Sequence, residues 1–162
     1  MTLTNAKAPY LTIRDAIVTL LKANLTSLNT DLTTALTVAL IKAGDPMVEP
    51  VSLDSIPSIY VRFDGKPEEE FFSFGKSNSP TKKVRMQFRI FGLARRTTTV
   101  KASDDEMTYL GRNIEAVLRD NCSISGSVEY SNPVSLELAI GIGDKAFISV
   151  ATVVLDCWTV IE

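Results

Sequence analysis

The residues able to do chemistry in this chain are bounded first by a missing type: its 162 residues include no histidine. A Ser-His-Asp triad, a histidine-ligated zinc and an imidazole proton shuttle are therefore excluded. Carboxylates, lysines and two thiols remain. The acids gather in two runs, Glu68-Glu69-Glu70 and Asp104-Asp105-Glu106. Acid–base catalysis needs groups that converge on one reacting atom, whereas neighbours in sequence point apart, so both runs read as solvated or capping clusters. Cys122 and Cys157 are far apart and form no CxxC, which argues against a zinc ribbon and a disulfide framework. Two free thiols filling small apolar sites are expected. The glycines of "IGIGDKA" lack the third glycine and the following helix of a dinucleotide fingerprint, and read as a hairpin turn before a strand. No catalytic residue, cofactor or metal site is expected.

The basic residues raise a different question. In "VRMQFRIFGLARRTTTVKASDDEM" a strand passes into Arg95, Arg96, three threonines and Lys101 before a helix begins. An ordered polar arm loses roughly 1–2 kcal/mol of backbone entropy per residue without burying apolar area. A neighbouring chain on which the arm lies would recover that loss; a solvated strand-to-helix loop is the plain alternative.

The elements that must carry these residues follow from periodicity. Ile13, Ile17, Leu20, Leu21, Leu25 and Leu28 recur at helical spacing behind Thr12 as N-cap and Asp15 in the first turn, predicting a helix over 13–28. Leu32, Leu36, Ala39 and Leu40 continue that spacing before "KAGDP", but the threonines between them leave helix and strand both open. Pro46, Pro50 and Pro57 make 45–57 irregular. Ile59, Val61 and Phe63 then alternate with Tyr60 and Arg62 in a strand expected to end at Asp64-Gly65. A second strand sets Val84, Met86, Phe88 and Ile90 against a basic face of Arg85 and Arg89. Between the two lies an expected loop, 64–82, in which three glutamates precede Phe71, Phe72 and Phe74. Those aromatics either cover the domain's own core from a short hairpin or sit on a surface meant for a neighbouring chain. Ser103 and Glu106 read as a capping box for a second helix, with Met107, Leu110, Ile114, Val117 and Leu118 as its buried stripe and an end near Asn121. The last third is strand. Its run Val150 to Leu155 is apolar on both faces, as in a central strand packed on both sides.

One domain over 1–162 is the economical division. At 45% hydrophobic, 22% charged and net charge −2 the chain is neither disordered nor built like a nucleic-acid binder. Pro9, Arg14 and Asp15 break any apolar run near the start, so neither a membrane span nor a secretory signal is expected. The order of elements gives an α+β fold: an antiparallel or mixed β-sheet with two to three α-helices packed on it, carrying an extended loop and an arm.

In that order and style the chain resembles a family. The helix "TIRDAIVTLLKANL", the strand "IPSIYVRF", the strand "RMQFRIFGLAR" leading through a polar arm to "SDDEMTYLGRNIEAVLRD", and a closing pair of strands ending "VATVVLDCWTVIE" are similar to the tail terminator (tail completion) proteins of long-tailed bacteriophages. The segment 30–57 is longer than in the compact members. The resemblance implies a structural virion protein and not an enzyme: a homo-oligomeric, hexameric ring, assembled in the host cytoplasm, that caps the tail tube protein and meets the head-side connector. DNA would pass only as cargo through its channel, and no membrane is involved. The candidate contacts with a neighbouring subunit or the tube are then Glu68, Glu69, Glu70, Phe71, Phe72, Phe74, Arg95, Arg96 and Lys101. Another neck or head-completion protein is the alternative. A small histidine-free enzyme is more distant and would need a pocket with convergent acids and lysines.

Overall fold

The computed structural model describes residues 9–32, 37–48, 56–74, 80–96, 99–142 and 147–161, with the backbone alone at 71–74, 80, 81, 95, 96, 100, 141, 142 and 147. Helix α1 (Tyr10–Ala23) and a single turn α2 (Leu25–Leu28) lead to strand β1 (Leu40–Ala43). The long strands β2 (Ser58–Phe74) and β3 (Pro80–Arg96) follow, then helix α3 (Val100–Asp120), β4 (Tyr130–Ile142) and β5 (Phe147–Ile161). The five strands form one sheet in the order β1-β2-β3-β5-β4, with β1 parallel to β2 and every other pairing antiparallel. This is the expected α+β class, with a mixed sheet and three helices.

Period-two patterning decides which side of the sheet the helices take. Val84, Met86, Phe88 and Ile90 of β3 are wholly buried with Ile59 and Val61 of β2 and Val153, Leu155 and Cys157 of β5. All of them join Ile13, Ile17 and Leu21 of α1 and Leu110, Ile114 and Leu118 of α3 in one core. Tyr10 stacks on Phe63 at 4.6 Å, and Phe63 tilts against Phe88 at 5.5 Å, which ties the start of α1 to the sheet. The contact between α3 and β3 is as close as backbone allows at Gly92, where a Cβ would lie 2.9 Å from Leu110 Cδ2.

Among the described residues, no long helix packs on the opposite face. A small second cluster of Ile56, Tyr60, Phe91 and Leu93 covers one end of it, packed by Leu40, Ile148 and Val150. The expectation that Val150 to Leu155 is packed on both sides is therefore corrected. Ala151, Val153 and Leu155 are fully buried, whereas Thr152 and Val154 on the opposite face are half-buried, because both long helices lie on one side.

Several local expectations change for identifiable reasons. Segment 64–82 is not a long loop: β2 continues to Phe74 and β3 begins at Pro80, through register shifts at Phe63/Gly65, Gly65/Glu68 and Phe71/Ser73. Gly65, at φ +141°, supplies the backbone conformation that lets the strand kink and go on. The arm contracts as well. Arg95 and Arg96 are strand residues paired with Ile148 and Phe147, and 97–98 lie outside the described residues. Helix α3 starts earlier than the Ser103-x-x-Glu106 box implied: Thr99 caps it, its Oγ accepting from the Ala102 amide at 3.1 Å. Ser103 and Glu106 lie inside the helix and are buried, and Ser103 shares a hydrogen bond with Ser149 of β5. Helix α1 has Pro9, not Thr12, at its N-cap. Of the segment expected to be helix or strand after Asp31, 33–36 lie outside the described residues and Leu40–Ala43 is a strand against Ser58–Val61. Of the expected turn "GIGDK", 143–145 also lie outside them, while the pairing of Ile142 with Phe147 makes β4 and β5 the expected hairpin.

Candidate functional site

The sequence-derived contact residues fall at two opposite ends of the sheet. Along β3, at roughly 3.3 Å per residue, Lys82 and Arg95 stand about 40 Å apart. Glu68, Glu69, Glu70, Phe71, Phe72 and Phe74 sit on β2 where the β2–β3 hairpin leaves the core; Arg95, Arg96 and Lys101 sit at the far end, where β3 hands over to α3.

At the hairpin end the last wholly buried position of β3 is Val84. Around it the cross-strand register sets two acids against bases, Glu68 opposite Arg85 and Glu70 opposite Lys83, while Glu69 lies opposite Val84 itself. Glu69 accepts from both Lys66 and Lys82, and those ammonium groups, Lys66 first, hold its carboxyl down at about 2. Arg85 Nη1 lies 3.4 Å from Glu68. What read as one acidic run is thus distributed over separate basic partners. The backbone places Phe71, Phe72 and Phe74 in β2; their side chains lie outside the described part.

The face of the sheet away from α1 and α3 carries a ladder of charges that sequence reasoning saw only as a basic stripe. Arg62 bonds both Asp45 and Asp64, the latter at 2.6 Å, and Arg89 Nε donates to Asp64 at 2.8 Å. Burial pushes the Asp45 carboxyl up, but the Met47 amide and the Arg62 guanidinium outweigh it and hold the group below its ordinary value. Further along, Arg85 Nε lies 3.7 Å from Asp156, while Lys83 and Arg85 stand 5.0 and 5.8 Å from the Trp158 ring. The acids of this ladder come from three separate segments. Only the register brings them opposite the arginines, so spacing along the chain held no signal for them. Because these cations already face carboxylates, the stripe is not a phosphate-tracking surface.

At the far end, Lys101 lies in the first turn of α3 and pairs with Asp105 at 2.7 Å, which raises its pKa. It is a helix residue and not part of an arm. Asp104, Asp105 and Glu106 share that helix but part company: Glu106 is buried and the other two face outward.

Chemistry that needs convergent groups finds little here. A cavity of about 270 Å³ between the end of α1 and β1 is lined by Lys22, Leu25, Val38, Ala39, Leu40 and Ile41, with one ionisable group among them. Among the described residues, no group of three acids and thiols is placed to hold a metal ion, and no helix is long and apolar enough to cross a membrane. What the sheet does present is edge. Strand β4 is outermost for all its 13 residues, with Val134, Leu138 and Ile140 exposed. On the other side β1 covers β2 only from Ser58 to Val61. Alternation predicted the strands, but which of them are outermost is a property of the pairing order.

No protein-family model matches the chain, and no curated protein sequence matches it significantly.

Proposed function

We propose that this protein is a ring-forming structural component of a phage tail, the tail terminator, which caps the tail tube, ends its polymerisation and joins it to the head-side connector. The observation that carries the reading is the separation of the two candidate surfaces along the sheet. A subunit that bridges two different partners along one axis needs a contact surface at each end, and here they lie about 40 Å apart along a single strand. The hairpin end, with Glu68, Glu69, Glu70 and the strand holding Phe71, Phe72 and Phe74, is the part we assign to the tube. The paired charges there, Glu68 with Arg85 and Glu69 with Lys66 and Lys82, present both signs to a complementary tube surface. The end bearing Arg95, Arg96 and Lys101 is left for the neighbouring subunit or the connector.

Supporting the reading are the element order shared with tail terminator proteins and the two long strand edges on either side of the sheet, which suit association of like subunits. The hexameric ring, a virion location and assembly in the host cytoplasm are part of the same proposal. The test is tube capping. Purified protein should appear as rings by negative-stain microscopy and should halt growth of tail tubes in vitro. The triple variant Glu68→Gln, Glu69→Gln, Glu70→Gln should still form rings and fail to stop the tubes, giving tails of irregular length. Normal tail length with that variant removes the hairpin from the tube contact. Rings that bind portal-side partners and leave tube length uncontrolled would instead identify a head-completion protein.

A further inference from the structure

Two strand edges remain unpaired among the described residues, and they match. Of the 17 residues of β2, β1 pairs with Ser58 to Val61 alone, which leaves the outer edge of Arg62 to Phe74 without a partner strand. At the other side of the sheet the 13 residues of β4 have a partner only on their β5 side. Three successive antiparallel pairings separate the two edges, so β2 and β4 run in opposite directions. Copies related by a rotation that keeps the strand axis upright therefore bring β4 of one against β2 of the next in antiparallel sense, without inverting a subunit.

Self-association of β2 centred on Glu69 is disfavoured by charge, because it would set Glu69 against itself and Glu68 against Glu70 at directly opposed positions. Strand β4 holds one charged residue, Glu137, and it is exposed. Full overlap of the two edges sets Tyr130 opposite Phe74, Leu138 opposite Lys66 and Ile142 opposite Arg62; Leu138, paired with Ala151, and Lys66, bonded to Glu69 opposite the buried Val84, share the helix-bearing side of the sheet. Strand β4 also lacks the lysines that ordinarily guard a free edge, and its exposed Val134, Leu138 and Ile140 are of the kind that a neighbouring chain covers.

We infer that the occupant of the β4 edge is the outer edge of β2 in a second copy of this chain, the pairing repeating head to tail so that one continuous sheet runs through the oligomer. This rests on the ring proposed above and specifies how its subunits join.

The test is cross-linking in a Cys122→Ser background, which removes the exposed thiol and leaves the buried Cys157. With Lys66→Cys and Leu138→Cys in the same chain, a short bis-maleimide should give a ladder of covalent multimers up to the ring size, while either substitution alone gives none. Dimers from Leu138→Cys alone would mean a two-fold β4–β4 contact and overturn the inference. So would rings, verified by native mass, that yield no ladder; the ring reading would then survive and this joint would not. A monomer at every concentration defeats both. As an independent check, Leu138→Lys with Ile140→Lys should abolish the oligomer while far-UV circular dichroism and cooperative unfolding persist. An oligomer unchanged by those two lysines overturns the inference.

Discussion

Asn113, buried on α3, donates through Nδ2 to the main-chain carbonyl of Leu28 at 3.0 Å, and the same nitrogen reaches the carbonyl of Thr30 at 2.7 Å. A side chain of one helix thereby satisfies the last carbonyl of α2, a single turn, and a carbonyl two residues beyond it. Replacing it with alanine orphans these acceptors, and we expect Asn113→Ala to cost about 1–3 kcal/mol of stability, read from the urea midpoint at constant m-value. A loss below a few tenths would show that solvent replaces the bond freely.

Gly111 tests which of two opposed effects wins. In an exposed helix interior glycine costs ~1 kcal/mol relative to alanine, so Gly111→Ala would ordinarily stabilise. Here a Cβ would lie 2.8 Å from Leu136 Cδ1 and 3.1 Å from Ala151 Cβ. The leucine tip can swing aside, but the Ala151 methyl is fixed in the sheet. The expected outcome is net destabilisation of about 1 kcal/mol by thermal or urea unfolding. A stabilised variant would mean that α3 can move away from β5 at little cost.

The two thiols should separate kinetically. Cys157 is buried between β3 and β4, and burial, reinforced by the neighbouring Asp156, pushes its pKa up to about 12, whereas Cys122 is exposed. A thiol-specific reagent at neutral pH should label one cysteine promptly in the native protein and the second only on unfolding. Equal, rapid labelling of both would contradict the placement of β5. Cys122 thereby departs from the expectation of a buried, space-filling thiol.

Acid should weaken the hairpin in a defined direction. The Glu69 carboxyl titrates at about 2 in the folded protein against an ordinary 4.5, and Asp45 lies below its ordinary 3.8. A depressed folded value means that the stabilisation is present above the unfolded value and is lost as pH falls through the folded one. The urea midpoint of the wild type should thus exceed that of Glu69→Gln at neutral pH by a small, salt-sensitive margin, and the two should converge as pH falls from about 4.5 toward 2. A margin independent of pH and salt would assign the effect to packing.

The α+β class, the apolar faces of β3 and α3 and the exclusion of histidine chemistry were all legible along the chain. These depend on side-chain period and residue type, which each segment carries alone. The stripe Met107, Leu110, Ile114, Val117 and Leu118 and the alternation from Val84 to Ile90 are buried as the period demands. The features that periodicity could not reach are non-local. Segment 64–82 could not be read as strand because its glutamates, glycine and prolines suit a loop, yet bulges and a basic partner strand hold most of it in the sheet. The Ser103–Glu106 pattern mimicked a cap, yet both residues are buried inside α3, and Ser103 bonds Ser149 of β5. The Asp45–Arg62–Asp64–Arg89 ladder joins residues through strand register, and the free edges of β2 and β4 exist only because β1 is short and β5 pairs between β3 and β4. Pairing order is fixed by the competition of whole strands for partners, a quantity to which no single stretch of sequence gives access.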